Sequence, residues 1–254
     1  ALCDYAHIYN ARVYVAFNTI LKDEELKDAE HLTGQLYEAG ADALIVQDMG
    51  ITRLNIPPIP LHASTQADNY TPEKIEFLHR TGFSQIVLAR ELSIEQIRII
   101  SERVPGIVLE AFIHGSLCVS FSGRCYLSSV FSGRSANRGE CAQCCRLPYT
   151  MVDSEEKVIV ENKHLRSLKD LKRSDDLEAL MIAGVSSFKT EGRLKDVSYV
   201  KNITAYYRKN LDAVFEKNPA FSCSSAVHSS FTFDPRPEKS FNRGFTPYFL
   251  HGRD

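Results

Sequence analysis

The sequence predicts an α/β fold, a (β/α) barrel-like domain that is incomplete at its N-terminus, with a cysteine-rich loop and a small C-terminal extension. Three observations carry that expectation. Apolar runs such as Ala43-Leu-Ile-Val46 are short and continuous, as suits strands covered on both faces. Segments of helical period follow most of them, which implies parallel connections. Polar residues stand at the C-terminal end of nearly every run: Asn18, Asp48, His62 with Ser64 and Gln66, Arg90 with Glu91, His114, and Glu191 with Arg193. In a barrel those ends converge on one mouth. In an open doubly wound sheet only the ends near a switch point share a site, so the barrel is favoured.

Taken in order, Val13-Tyr-Val-Ala-Phe17 reads as a β-rich run. A helix is expected from about Asp23 to Ala39, with Leu26, Ala29, Leu32 and Leu36 on one face and Gly40 at its C-terminal stop. Strand Ala43–Val46 follows, then a short run at Pro60–Ser64. Thr71-Pro72 opens the next helix as N-cap and first-turn proline. Gln85–Ala89 is a strand, and Ser93 with Gln96 forms a capping box that starts a helix. Ile107–Phe112 is a strand that runs into the cysteines. Thr150–Asp153 and Lys157–Val160 suit a hairpin over the mouth, and Gly184–Thr190 a last strand before a helix that reaches about Tyr207. Residues 1–217 are therefore assigned to the barrel-like domain, with the cysteine-rich loop at 113–149. Residues 218–254, rich in Ser, Phe and Pro, read as the start of a second small domain.

The 254 residues are 44% hydrophobic and 24% charged with a net charge of -2, which argues against a generally polyanion-coated surface and leaves room for a local basic patch. No apolar run is long enough to span a membrane, and no signal segment is visible. The chain opens ALCDYAHIYN without a start methionine, which suggests a piece of a longer protein. Seven cysteines, five of them crowded together, suit a reducing cytoplasm better than a disulfide scaffold.

Those five are Cys118, Cys125, Cys141, Cys144 and Cys145, spaced C-x6-C-x15-C-x2-C-C among Gly115, Gly123, Gly133 and Gly139. Four thiolates are what an iron–sulfur cluster or a structural zinc requires. A zinc ribbon places its cysteines in two close pairs, so the uneven spacing favours a cluster over zinc, with plain buried thiols as the third reading. Cys118, Cys125, Cys141 and Cys145 are the expected ligands and Cys144 the spare, because adjacent side chains diverge.

Six residues are candidates for handling protons or substrate: His62, Glu110, His114, Lys189, Glu191 and Arg193. For each histidine, a hydrogen-bonded structural role is the plainer alternative. Glu110 lies within an apolar strand and needs a cationic partner, with Arg90, Lys189 and Arg193 available. Arg90, Arg124, Arg134 and Arg138 suit substrate phosphates or carboxylates, or could offset thiolate charge. No HExxH or GxSxG motif supports a peptidase.

EAFIHGSLCVSFSGRC at 110–125 and SGRSANRGECAQCCRLPY at 132–149 resemble motifs of the collagenase-like peptidases, family thirty-two among peptidases of unknown catalytic type. SLKDL at 167–171, SSFKTEGRLKDVSYV at 186–200 and FNRGFTPYFL at 241–250 extend the resemblance along essentially the whole chain. The wording GRSANRGECAQ is most similar to the branch of ribosomal RNA cytidine hydroxylases. The resemblance implies a barrel-like domain with a [4Fe–4S] cluster on Cys118, Cys125, Cys141 and Cys145. It also implies hydroxylation of an RNA base, with ribosomal RNA as partner and prephenate as a metabolic requirement of the RNA branches. A peptidase acting on peptides is the alternative function, and a cluster- or zinc-stabilised binding module the second alternative. Two positions depart from the pattern. Cys144 stands where the family has proline, and Lys172 stands where some relatives have a cysteine.

Overall fold

Local signals set most element boundaries in the computed structural model, which describes residues 1–224 and 229–252. A first helix, α1 (Leu2–Ile8), precedes β1 (Tyr14–Phe17); the sequence had suggested no opening helix. A 3-10 turn at Asp23–Glu25 then leads into α2 (Leu26–Glu38), after which Gly40 takes a φ of +82°. β2 (Ala43–Val46) and β3 (Leu61–Ala63) match their apolar runs. α3 (Pro72–Arg80) starts where Thr71 Oγ accepts the Lys74 N–H at 3.3 Å.

β4 (Phe83–Val87) begins two residues earlier than the sequence suggested. Leu88 and Ala89 are buried but lie beyond the strand. α4 (Ile94–Arg103) carries the expected capping box, with Ser93 Oγ accepting the Gln96 N–H and the Gln96 side chain accepting the Ser93 N–H. β5 (Val108–Gly115) follows, then the short α5 (Leu127–Ser132). β6 (Tyr149–Val152) and β7 (Val158–Lys163) pair antiparallel as a separate two-stranded sheet.

β8 (Asp170–Lys172) and α6 (Leu177–Ile182) were not anticipated from the sequence. β9 (Val185–Thr190) precedes α7 (Val197–Lys217), which runs about ten residues past the helix end expected near Tyr207. β10 (Phe245–Thr246) closes the set.

β1 to β5 lie side by side in parallel, and β9 adds in parallel to the far side of β5. This mostly parallel βα succession has a barrel-like topology. The end of β5 also pairs antiparallel with β8, which carries β10 on its other edge.

One face of the sheet is apolar. Leu44, Ile86 and Leu109 pack there with Ile75 and Leu78 of α3, Ile97 and Ile100 of α4, Leu180 of α6 and Ile203 of α7. At about 25 cal/mol per Å² of apolar surface removed from water, this layer supplies the main drive for folding. Leu250, near the chain's end, belongs to the same core, and its carbonyl accepts the Ile94 N–H at 3.0 Å. Among the described residues no helix is long and apolar enough to cross a membrane.

Candidate functional site

A polar row crosses the sheet at mid-strand. The parallel register aligns Ile45 with His62 and His62 with Gln85. One strand further, Glu110 lies opposite Ser187. The Glu110 carboxylate is only 6% exposed and accepts three bonds, from Gln85 Nε2 (2.7 Å), Ser187 Oγ (2.7 Å) and Lys189 Nζ (3.0 Å). Of the three cations that the sequence offers to Glu110, the β5–β9 pairing brings Lys189. Ionised carboxylates tolerate burial only with this kind of pairing.

His62 is 5% exposed, its Nδ1 has no hydrogen-bond partner, and the Tyr14 ring stands edge-on to it at 4.6 Å. Burial lowers its pKa, with Lys189 and Arg12 adding to that effect and Glu110 opposing it. The ring is thus neutral near pH 7, with a free nitrogen beside an ion pair. That combination can accept or hand on a proton at one nitrogen. Gln85 and Ser187 complete the network and were missed in the sequence. For Gln85 the available signal was a polar residue directly ahead of the apolar run Ile86–Ala89; Ser187, among Ser186, Lys189 and Thr190, carried none.

His114 sits elsewhere. A register irregularity in the β5–β9 pairing falls just before it, and Tyr199, Tyr207 and Phe245 surround its ring. Its Nδ1 lies 3.3 Å from the Tyr207 hydroxyl, and burial pushes its pKa down to about 4. Glu191 and Arg193 stand just past β9. Glu191 accepts the Arg193 N–H at 3.0 Å, and Arg193 Nη2 donates to the Gly139 carbonyl at 3.1 Å.

The connection from Gly115 to Tyr149 is stitched across the strand ends. Ser122 donates from its N–H and its hydroxyl to buried Glu91, just after β4. Arg124 pairs with Asp68, beyond β3. Arg138 pairs with Glu25 and donates to the Ile20 carbonyl, beyond β1. Gly123 has φ +77°, and a Cβ there would run into the Gln66 carbonyl. Of the four arginines expected to bind substrate, Arg124 and Arg138 are thus engaged by carboxylates. Arg134 is exposed, and Arg90 lies 4.2 Å from the Phe112 ring centroid with its Nε buried and unpartnered.

Sequence reasoning also passed over Arg173. It is 2% exposed and donates to the carbonyls of Phe112 (3.2 Å), Arg90 (3.0 Å) and Pro247 (3.2 Å). Burial pulls its pKa down to about 10, with Asp176 the strongest opposing influence. One guanidinium therefore ties β5, the end of β4 and the C-terminal segment together.

The cysteine expectation is corrected. Burial pushes the Cys145 thiol up; Arg146 pulls it down, and Cys118, Cys141 and Cys125 push it further up. The four thiols therefore share a neighbourhood. Metal binding needs more, because zinc holds sulfur at about 2.3 Å with every ligand aimed at one point. Cys141 Sγ accepts the Gln143 N–H at 3.4 Å and faces the Ser128 hydroxyl at 3.9 Å. Cys144 is buried, and Cys118 and Cys141 are exposed. Among the described residues no group of three or more His, Cys, Asp or Glu side chains could hold a metal ion. The assignment of Cys118, Cys125, Cys141 and Cys145 to a [4Fe–4S] cluster, or to zinc, does not fit this arrangement, and the metal-binding description falls with it.

Comparison with known proteins supplies the context. The chain is 54% identical over 252 residues to the 23S rRNA 5-hydroxycytidine C2501 synthase of Escherichia coli (strain K12), covering 99% of this chain and 38% of the relative. It is 34% identical to tRNA hydroxylation protein P1 of Bacillus subtilis (strain 168), covering 83% of this chain and 52% of that protein. It is 32% identical to a collagenase of Porphyromonas gingivalis (strain ATCC BAA-308 / W83), covering 94% of this chain and 59% of that protein. The chain thus spans between about a third and three-fifths of the length of these relatives. The description Peptidase family U32 matches residues 1–254, as the motifs around the cysteines suggested, and the chain belongs to that family.

Proposed function

We propose that this chain is the base-handling part of an enzyme that hydroxylates RNA, with cytidine in large-subunit ribosomal RNA as its substrate. The 54% identity over 99% of the chain to a 23S rRNA hydroxycytidine synthase carries this reading. The mid-sheet row supports it chemically. His62, Glu110 and Lys189 offer a neutral nitrogen, a carboxylate and an ammonium in one polar cluster, a set suited to the exocyclic and ring atoms of a base. Arg90 and Arg134 remain available for phosphates, which position a nucleic acid without reading its sequence. Entry of a base requires it to leave its stack first.

Among the described residues no histidine is hydrogen-bonded to a cysteine or serine. A peptidase would need a nucleophile–base pair of that kind. The test is mass analysis of ribosomal RNA from a strain lacking the gene. One cytidine is expected to be lighter by one oxygen and to be restored by the full-length gene, but not by a His62→Phe version. Ribosomal RNA unchanged by the deletion overturns the proposal.

A further inference from the structure

The proposed role needs RNA to be held as well as entered, and a groove on the outer layer has the chemistry for holding. We propose that the groove between the start of α7 and residues 233–241 seats an unpaired nucleotide of single-stranded RNA. Its base would lie against Phe241 and its phosphate among Lys195, Lys201 and Lys239. This inference rests on the RNA reading above and adds a second contact remote in sequence from the cysteine-bearing connection.

The cavity there has a volume of about 650 Å³, with Phe233, Phe241 and Tyr199 among its walls. That is within the range of sites that enclose a small organic ligand. Phe241 is 62% exposed, so its ring is open to a ligand in the groove. Two cations face the ring. Arg243 lies 4.9 Å from its centroid and is anchored to buried Asp170 at 3.2 Å. Lys195 Nζ lies 4.4 Å from it and 5.0 Å from the Tyr199 centroid.

Lys195 has no ion-pair partner among the described residues, and neither do Lys201 and Lys239. The carboxylates in the wall are already engaged. Asp234 accepts from Arg236 at 3.0 Å and pairs with Lys209 at 3.5 Å. Asp196 caps α7 by accepting the Tyr199 N–H at 2.7 Å. Three lysines without ion-pair partners, against the one unpaired carboxylate of Asp196, thus leave the described wall net positive around exposed aromatic rings, on a chain whose net charge is -2. Lysines beside stacking platforms are how single strands are held without sequence preference. A base can take the place of the Lys195 ammonium on Phe241 and release that cation to the phosphate. An acidic peptide would meet the lysines but leave the ring uncovered, so RNA is the better match.

The test is fluorescence anisotropy of the full chain with a fluorescein-labelled single-stranded oligoribonucleotide over a range of salt. Phe241→Ala is expected to weaken binding by about 5- to 150-fold, the loss of one stacked base, and Phe241→Trp to retain it. Replacing Lys195, Lys201 and Lys239 together by Gln should lower the slope of log affinity against log salt by about 0.7, the contribution of one single-strand phosphate contact. Circular dichroism melting verifies that the variants fold.

Wild-type binding that neither variant changes overturns the groove and leaves the RNA reading standing. Wild-type protein that binds no RNA overturns both. Equal competition by heparin or an acidic peptide, with indifference to Phe241→Ala, marks a bare cationic patch and also overturns the inference.

Discussion

Replacing Glu110 by Ala removes the acceptor shared by Gln85, Ser187 and Lys189. Breaking a buried ion pair from one side costs about 3–5 kcal/mol, because the other charge stays behind without a partner. Lys189 retains 29% of its side-chain exposure, so water can partly solvate the stranded ammonium. Gln85 and Ser187 also lose their acceptor, at about 1 kcal/mol or more for a buried donor. Together these place Glu110→Ala near the lower end of the range, at about 3 kcal/mol. Urea unfolding should show this as a lower midpoint with an unchanged slope. In Glu110→Ala/Lys189→Met the uncompensated charge is gone, so the double variant should be more stable than the single. A single-variant loss below about 1 kcal/mol, or a double variant that adds a further full penalty, refutes the view that Glu110 and Lys189 act as a unit.

Three further outcomes are expected. The folded pKa of His114 is about 4 against an ordinary 6.5, so the unfolded chain takes up that proton first as pH falls. Its contribution is complete above about pH 6.5 and is lost towards pH 4, amounting to about 3 kcal/mol; His114→Gln should flatten the urea midpoint against pH in that window. Arg173→Met strands three carbonyl acceptors and should cost about 2 kcal/mol. It should also speed amide exchange across 245–250; unchanged exchange there refutes the tie through Pro247. Gly123→Ala combines a φ of +77° with a collision against the Gln66 carbonyl, so it should displace the connection and raise its cleavage by trypsin near Arg124; Gly133→Ala shares the unfavourable φ, at +69°, but meets open space, so its effect should be smaller.

Legibility followed the range of the interaction. Thr71 with Pro72 and Ser93 with Gln96 announce helix starts because each cap is closed within three residues of sequence. Ala43–Val46 is recognisable because burial on both faces leaves a continuous apolar run. β4 was displaced because Leu88 and Ala89 are as buried as strand residues while lying outside the ladder. The end of α7 was missed because Leu211 and Val214 hold its last turns against the core through tertiary packing rather than through a local signal. β8 is three residues long and exists only because β5 and β10 flank it.

Within the site the same division holds. The βα succession, the family motifs and the need of Glu110 for a cationic partner are legible in the residues, since each depends on residue type and near neighbours. The folded arrangement makes Lys189 that partner, because strand register is a pairing between segments almost eighty residues apart. It likewise placed His114 in an aromatic cage and aligned His62 with Gln85. Cysteine spacing counts residues along the chain, whereas ligation depends on where sulfur atoms point. The fold brings Cys118, Cys125 and Cys141 near Cys145, yet among the described residues no group of three or more such side chains could hold a metal ion.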